Sequence, residues 1–354
     1  VKQVLTEKCP YEKKVTPSLL LKPSEVRRPL LAWYRRHGRH DLPWRGRFDP
    51  YGVLVSELML QQTTVGTVIP YFQRFMASFP TFEALAQSPL ERVLEHWAGL
   101  GYYARARNLH RVAQRVVLDY KGALPKDRDE LLSLPGVGPY TAGALLSFAF
   151  DRPAPVVDGN VARVLARFFG LKANVKDPST VRLLWRWAQT LVPPTGARHF
   201  NSALMDFGSI VCRPASPDCS QCPLKKRCQA YERGEQEDIP VLSVKPHRPL
   251  RSLAVVAYKR DDGFYLRKRP LGGLWGGLWE FPYHEGVPSP PVKAERLADL
   301  RHVLSHRDFR VSFWLGKGSP PSEGKRTTGW FRIKKIKTMA ISSLTQRLLG
   351  FLEE

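Results

Sequence analysis

Acidic residues are scarce in this sequence: 32 Asp and Glu stand against 55 Lys and Arg, for a formal net charge of +23. A deficit of this size in folded-looking sequence favours a polyanionic partner. Nucleic acid comes ahead of an anionic membrane surface, because no basic amphipathic helix or lipidation motif is present. The plain alternative is a soluble basic protein. Long apolar runs are also missing; none approaches the roughly 18 residues that would mark a membrane span. The first stretch, VKQVLTEKCPYEKKVTPSLLLKP, offers only Leu19-Leu20-Leu21, too little for the apolar region of a signal peptide. Residues 1–23 are expected to be a mobile tail, and the location a bacterial-type cytoplasm, beside the nucleoid. Internal repeats are absent. Cysteine is sparse, yet four of the five crowd into residues 212–228. Without a secretory signal, such clustering reads as a metal or cluster site in a reducing compartment, and Cys9 as an idle thiol.

What is present is enough for real cores: 43% hydrophobic and 11% aromatic residues over 354 positions, room for two domains. From about Ser24 to Val192, apolar residues recur at three- and four-residue spacing between short Pro/Gly breaks, which predicts several packed helices. Residues 231–249 mix charge and proline without period and read as a linker. After them SLAVVAYKRDDGFYLRKR predicts a hairpin around Asp-Asp-Gly, and DFRVSFWLG alternates Phe309, Val311, Phe313 and Leu315 on one face. With a closing helix in SSLTQRLLGFLEE, residues 250–354 read as a separate α+β domain.

Three short stretches carry chemistry. In LPGVGPYTAGAL a tight turn lies between two helices. Gly136 and Gly138 permit positive φ, and the N–H groups at the helix start suit a phosphate; an ordinary helix–helix corner is the alternative. Asp158 precedes GNVARVLARF, whose stripe of Val161, Val164, Leu165 and Phe168 makes it a good N-cap. The helix terminus would keep its carboxylate ionised. Glu57 follows Val53 and Leu54 by four and three residues, so it lies on or beside their apolar face. A lone carboxyl there should have a raised pKa, unless an arginine pairs with it. Cys212-x6-Cys219-x2-Cys222-x5-Cys228 can wrap one compact centre. Zinc competes for four cysteines, but its sites usually pair two Cys-x-x-Cys knuckles and only one exists here.

LPGVGPYTAGA followed by PVVDGNVARVLARF resembles the helix–hairpin–helix DNA glycosylase superfamily, with Asp158 matching its essential aspartate. SELMLQQT around Glu57 resembles the catalytic-acid region of MutY-type adenine DNA glycosylases, and the cysteine spacing looks like the [4Fe–4S] loop of endonuclease III and MutY relatives. The resemblance implies a fold that is mainly α in residues 24–230. This region would hold the helix–hairpin–helix (about 127–150), the Fe–S loop (212–228) and a [4Fe–4S] cluster on Cys212, Cys219, Cys222 and Cys228. A smaller α+β, Nudix-like domain would occupy residues 250–354. Glu57 would protonate adenine and Asp158 would stabilise the sugar cation, with or without a transient covalent bond. Asn160 and Tyr140 would position sugar and water. Trp44 and Arg45 would line the adenine pocket. Gln62, Thr63 and Tyr102 would meet the duplex, although Tyr103 could exchange roles with Tyr102. Gly136 and Gly138 would hold a phosphate.

The C-terminal stretch resembles the MutT-like domain of the same family, most clearly in FYLRKR and LGGLWGGLWEFP, yet no Arg-Glu-x-x-Glu-Glu lies between Gly272 and His302. It should therefore bind and not hydrolyse. Leu304, Ser305 and His306 match a Phe-Ser-His loop that reads 8-oxoguanine, with Leu in place of Phe; a surface histidine is the alternative. Tyr140 stands where bifunctional relatives carry the lysine that forms a Schiff base, so base removal without strand cleavage is implied. The expected partner is double-stranded DNA with 8-oxoguanine:A or G:A mispairs, bound by a monomer with no membrane contact. Two rivals remain: a mismatch thymine glycosylase of the same superfamily, and a non-enzymatic Fe–S DNA-binding or redox-sensing protein.

Overall fold

The computed structural model describes residues 22–46, 48–241, 248–321 and 327–353. The tail expected over 1–23 lies outside them apart from its last two residues, as does Cys9. The chain divides into two compact units, Val1–Leu58 with Ala123–Val244 and Met59–Gly122 with Lys245–Glu354.

The first unit is helical, as the periodicity predicts. It contains α1 (Ser24–His37), most of α2 (Pro50–Leu60), α7 (Arg128–Ser133), α8 (Pro139–Ala144), α9 (Gly159–Phe168), α10 (Pro178–Leu191), α11 (Ala197–Ile210) and α12 (Gln229–Glu232). Apolar stripes of α1, α9, α10 and α11 meet in one core that includes Leu30, Leu165, Leu184, Trp187, Phe200 and Phe207. Local chemistry sets the helix starts: Asp127 accepts from the N–H groups of Asp129 and Glu130, and Asp158 from that of Val161. The stretch read as a linker is partly core. Ile239 is fully buried there and its carbonyl accepts from Arg167 Nε, because one apolar residue suffices to anchor a charged segment.

The second unit joins two stretches that are distant in sequence. Its helices are α3 (Val65–Ser78), α4 (Phe82–Gln87), α5 (Leu90–Trp97) and α6 (Ala104–Tyr120). Its sheet comprises β1 (Leu250–Arg260), β2 (Gly263–Lys268), β3 (Trp279–Glu280), β4 (Tyr283–Glu285), β5 (Ala294–Val303), β6 (Asp308–Gly316) and β7 (Thr328–Arg332), followed by α13 (Ile333–Ile336) and α14 (Ser343–Gly350). The strand order is β3-β2-β1-β6-β5, with β4 beside β1 and β7 beside β2. Only β1–β6 is parallel among these pairs. The predicted hairpin is present, Arg260 pairing with Gly263 across Asp261-Asp262. Phe309, Val311 and Phe313 of β6 are buried as their alternation requires.

Within the second unit, side chains of α5, of α6 and of the loop between them bond to the C-terminal stretch. Glu91 accepts from Trp279 Nε1 at 2.7 Å and pairs with Lys268 Nζ at 2.9 Å. The Tyr103 hydroxyl donates to Ile341 O at 3.0 Å, and Arg107 Nη1 to Gly276 O at 2.8 Å. No periodicity within either stretch could announce these bonds. Among the described residues no helix is long and apolar enough to cross a membrane.

Candidate active site

Residues 51–59 of α2 are buried around the whole circumference, so Glu57 does not sit at the edge of an amphipathic stripe. It is 5% exposed, and its Oε2 has no hydrogen-bond partner among the described residues. Burial lifts its carboxyl from the ordinary 4.5 to about 7; a hydrogen bond from Tyr140 and the charge of Arg45 pull against that rise, and the charge of Asp158 adds to it. The arginine that sequence alone allows as a salt-bridge partner is engaged elsewhere. Arg45 Nη1 lies 2.6 Å from Asp206 Oδ2 and donates at 2.9 Å to Arg39 O. Arg39 Nη2 reaches Asp206 Oδ1 at 2.6 Å, so Asp206, fully buried, holds both guanidiniums.

Tyr140, in the first turn of α8, brings its hydroxyl to Glu57. Burial and the charges of Glu57 and Asp158 push that phenol well above its ordinary value, so it stays protonated and donates. Asp158 is the N-cap of α9, as predicted. Its Oδ1 accepts from Val161 N at 2.7 Å and its Oδ2 from Asn160 Nδ2 at 3.0 Å. The expectation that the helix start holds its carboxyl low needs correction: burial outweighs the Val161 and Asn160 bonds and leaves the pKa above the ordinary 3.8. The two carboxyls still divide their protons by their partners. Asp158 is held by two donors, whereas Glu57 leaves one oxygen bare, so Glu57 is the site that keeps a proton.

Behind this pair runs a chain of bonds that motif reading missed. Arg163 Nη2 donates to Asn160 Oδ1 at 2.9 Å and to Gly208 O at 2.7 Å, while its Nε donates to Cys212 O at 2.9 Å. Arg167, one turn on, donates to Arg213 O at 2.5 Å and Pro214 O at 2.9 Å, and its Nη1 lies 3.5 Å from Cys212 Sγ. Two arginines four apart inside an apolar helix were the available signal. Gly208 is needed where α9 and α11 approach: a Cβ there would stand 2.9 Å from Asn160 Cβ.

Cys212, Cys219, Cys222 and Cys228 line one cavity together with Arg167. Burial and the neighbouring sulfurs raise Cys222 to about 12, so the thiols repel charge on one another until a cation sits among them. Among the described residues no group of three or more His, Cys, Asp or Glu side chains is placed to hold a metal ion. Four cysteines lining one cavity are a donor set suited to thiolate ligation.

In the hairpin only Gly136 uses positive φ, +75°. Gly138 is extended and caps α8, with nothing within 4 Å of a built Cβ, so its role there is open space and not a special backbone angle. In the second unit, Gln62 is exposed and Tyr102 is 41% exposed, while Tyr103 is buried. Thr63 accepts from Arg105 at 3.4 Å. The β5–β6 turn closes with Leu304 N donating to Arg307 O at 2.8 Å, and Ser305 and His306 are exposed at its tip, their side chains 3.2 Å apart. Leu304 packs against the C-terminal core and so is drawn inward, away from the tip. Trp44 is half-buried beside Arg45.

Residues 55–190 match the HhH-GPD superfamily of base excision DNA repair proteins, and residues 253–350 the NUDIX domain. An adenine DNA glycosylase from Buchnera aphidicola subsp. Baizongia pistaciae is 38% identical over 90% of this chain and 94% of its own length. The Homo sapiens adenine DNA glycosylase is also 38% identical, over 90% of this chain and 72% of its own. Among solved structures, a thermostable thymine-DNA glycosylase superposes with a TM-score of 0.54 at 35% identity, covering 60% of this chain and 97% of its own. A non-covalent endonuclease III–DNA complex gives 0.50 at 27% identity, over 61% and 99%. The chain belongs to the adenine DNA glycosylase family, MutY-type enzymes of base excision repair built from a helix–hairpin–helix region and a Nudix-like domain.

Proposed function

We propose that the protein hydrolyses the N-glycosidic bond of adenine paired with 8-oxoguanine, or with guanine, and leaves the DNA strand whole. One observation carries the reading: a buried carboxyl poised near pH 7, Glu57, stands beside a carboxylate held by donors, Asp158. Cleavage requires a neutral leaving base and a stabilised sugar cation, and these two groups supply one need each. Glu57 gives its proton to N7 of an extruded adenine as the C1′–N9 bond breaks. Asp158 faces the positive charge that develops at C1′. Water then attacks C1′ and returns its proton to Glu57, yielding free adenine and an abasic site. Tyr140 and Asn160 hold the two carboxyls in place through the bonds described, and a phenol at position 140 cannot form an imine with the sugar. Trp44 and Arg45 border the base pocket. Gln62, Thr63 and Tyr102 enter the duplex, Gly136 and Gly138 meet a phosphate, and Ser305 with His306 reads the oxidised guanine.

Cys212, Cys219, Cys222 and Cys228 would hold a [4Fe–4S] cluster, which would supply the positive charge that binds four thiolates into one fixed loop. Arg163 ties that loop to Asn160, and Arg167 holds the backbone of Arg213 and Pro214 within it. The protein acts as a monomer on double-stranded DNA beside the nucleoid.

Single-turnover assays on duplexes with 8-oxoguanine:A, G:A and G:T test the substrate. Adenine should be released fastest opposite 8-oxoguanine, with nicks appearing only after alkali. Replacing both Ser305 and His306 by Ala should lower the 8-oxoguanine:A rate towards that of G:A. Preference for G:T would instead support the thymine reading.

A further inference from the structure

Gln62 and Tyr102 share an unusual backbone. Both are non-glycine residues in the left-handed region, with φ of +58° and +48°. Side chains with a Cβ avoid that region unless the surroundings impose it. The two residues lie 40 positions apart, one after α2 and one before α6, and a single side chain reaches both loops. Arg105 is 7% exposed. Its Nη1 donates to Met59 O at 2.8 Å and Gln61 O at 2.6 Å, which brackets the turn before Gln62. Its Nη2 donates to Gly101 O at 3.1 Å and Leu100 O at 3.3 Å, and lies 3.4 Å from Thr63 Oγ1. The guanidinium also sits 5.4 Å from the ring centres of Trp97 and Tyr102. Burial lowers its pKa to about 10, so it is cationic at neutral pH.

We propose that Arg105 is a positioning residue for base extrusion, clasping the Gln62 and Tyr102 loops so that two strained residues enter the duplex as one preformed wedge. The proposal rests on the reading above in which Gln62 and Tyr102 fill the space left by the flipped adenine. The planar fork serves one loop from each of its two separated Nη groups; a lysine ammonium has three donors but only a single nitrogen, and cannot reproduce that spread. Preforming the wedge removes an ordering cost from the step that unstacks the base. The clasp therefore acts on extrusion and not on bond cleavage, and its effect should vanish where the adenine is already unpaired.

The test uses the full-length protein with Arg105→Lys and Arg105→Gln. Two duplexes are compared in single turnover, adenine opposite 8-oxoguanine and adenine opposite an abasic site. A 2-aminopurine beside the target reports unstacking without needing base release. Both variants should lose roughly 10- to 100-fold on the paired substrate, a cost typical of misplaced groups, and stay within about threefold on the unpaired one. The 2-aminopurine signal on binding should fall in parallel, and the thermal midpoint of Arg105→Lys should stay close to that of the unsubstituted protein. Equal losses on both duplexes, an unchanged 2-aminopurine signal, or loss of the fold in Arg105→Lys would overturn the clasp. Absence of base release by the unsubstituted protein would instead sink the glycosylase reading, while the 2-aminopurine comparison would still decide the role of Arg105.

Discussion

Glu57→Gln is expected to lower single-turnover release of adenine by about 100- to 10,000-fold, the range spanned by loss of a general acid. Glutamine keeps the shape and can still pair with the Tyr140 hydroxyl, but it carries no transferable proton. Duplex affinity should hold, since the phosphate contacts assigned to the hairpin are untouched. Stability gives an independent check on the same residue. The folded-state pKa is raised from 4.5 to about 7, so the folded protein holds an extra proton between those values. The stabilisation is complete below about pH 4.5 and disappears as pH rises through about 7, a linkage on the order of 3 kcal/mol. Above pH 7 the native protein carries a buried, partly unpartnered charge. Removing it should raise the thermal midpoint of Glu57→Gln at pH 8, the opposite of what a structural ion pair would give. Midpoints read by circular dichroism at pH 5 and pH 8 decide between the two.

Asp158→Asn should cost about 100- to 1,000-fold in base release, comparable to removing one preorganised electrostatic group from a transition state. The substitution removes the charge and one acceptor, since an amide nitrogen cannot accept from Asn160 Nδ2. Asn is as good an N-cap as Asp, so the bond from Val161 N–H and the start of α9 should survive. What disappears is the negative charge that would face the sugar cation. Duplex binding should hold or tighten, because an anion near a polyanion is removed. The charge of Asp158 contributes to the raised pKa of Glu57, so its loss should also move the residual activity's upper pH limit downwards. A variant that fails to fold, or one that releases adenine at the unsubstituted rate, would place Asp158 in the structure alone.

Residues whose role depends on local pattern were readable from the sequence. Asp158 announces itself as an N-cap before an apolar stripe, the hairpin by Pro-Gly-Val-Gly, and the strands of β1, β2 and β6 by alternation. The helical region and the α+β region followed from periodicity, and the family assignment bears both out. Residues that act through distant partners were not readable. Arg105 gathers carbonyls from two loops, Arg163 joins Asn160 to Cys212, and Asp206 collects Arg39 and Arg45 across more than 160 positions. Neither a window of sequence nor a hydrophobic period contains that information. The bonds from Glu91 and Arg107 to the C-terminal stretch were hidden for the same reason. Glu57 lies between these cases: its spacing marked it as a carboxyl among apolar neighbours, but only the burial of residues 51–59 of α2 shows how far its pKa rises.

The central claim is that a protonated Glu57 drives base release, and the pH dependence of the single-turnover rate tests it most directly. With saturating enzyme and an 8-oxoguanine:A duplex, the rate should be level below about pH 7, where Glu57 holds its proton, and fall about tenfold per pH unit above it. A rate that stays flat or climbs from pH 6 to pH 9 would contradict the account.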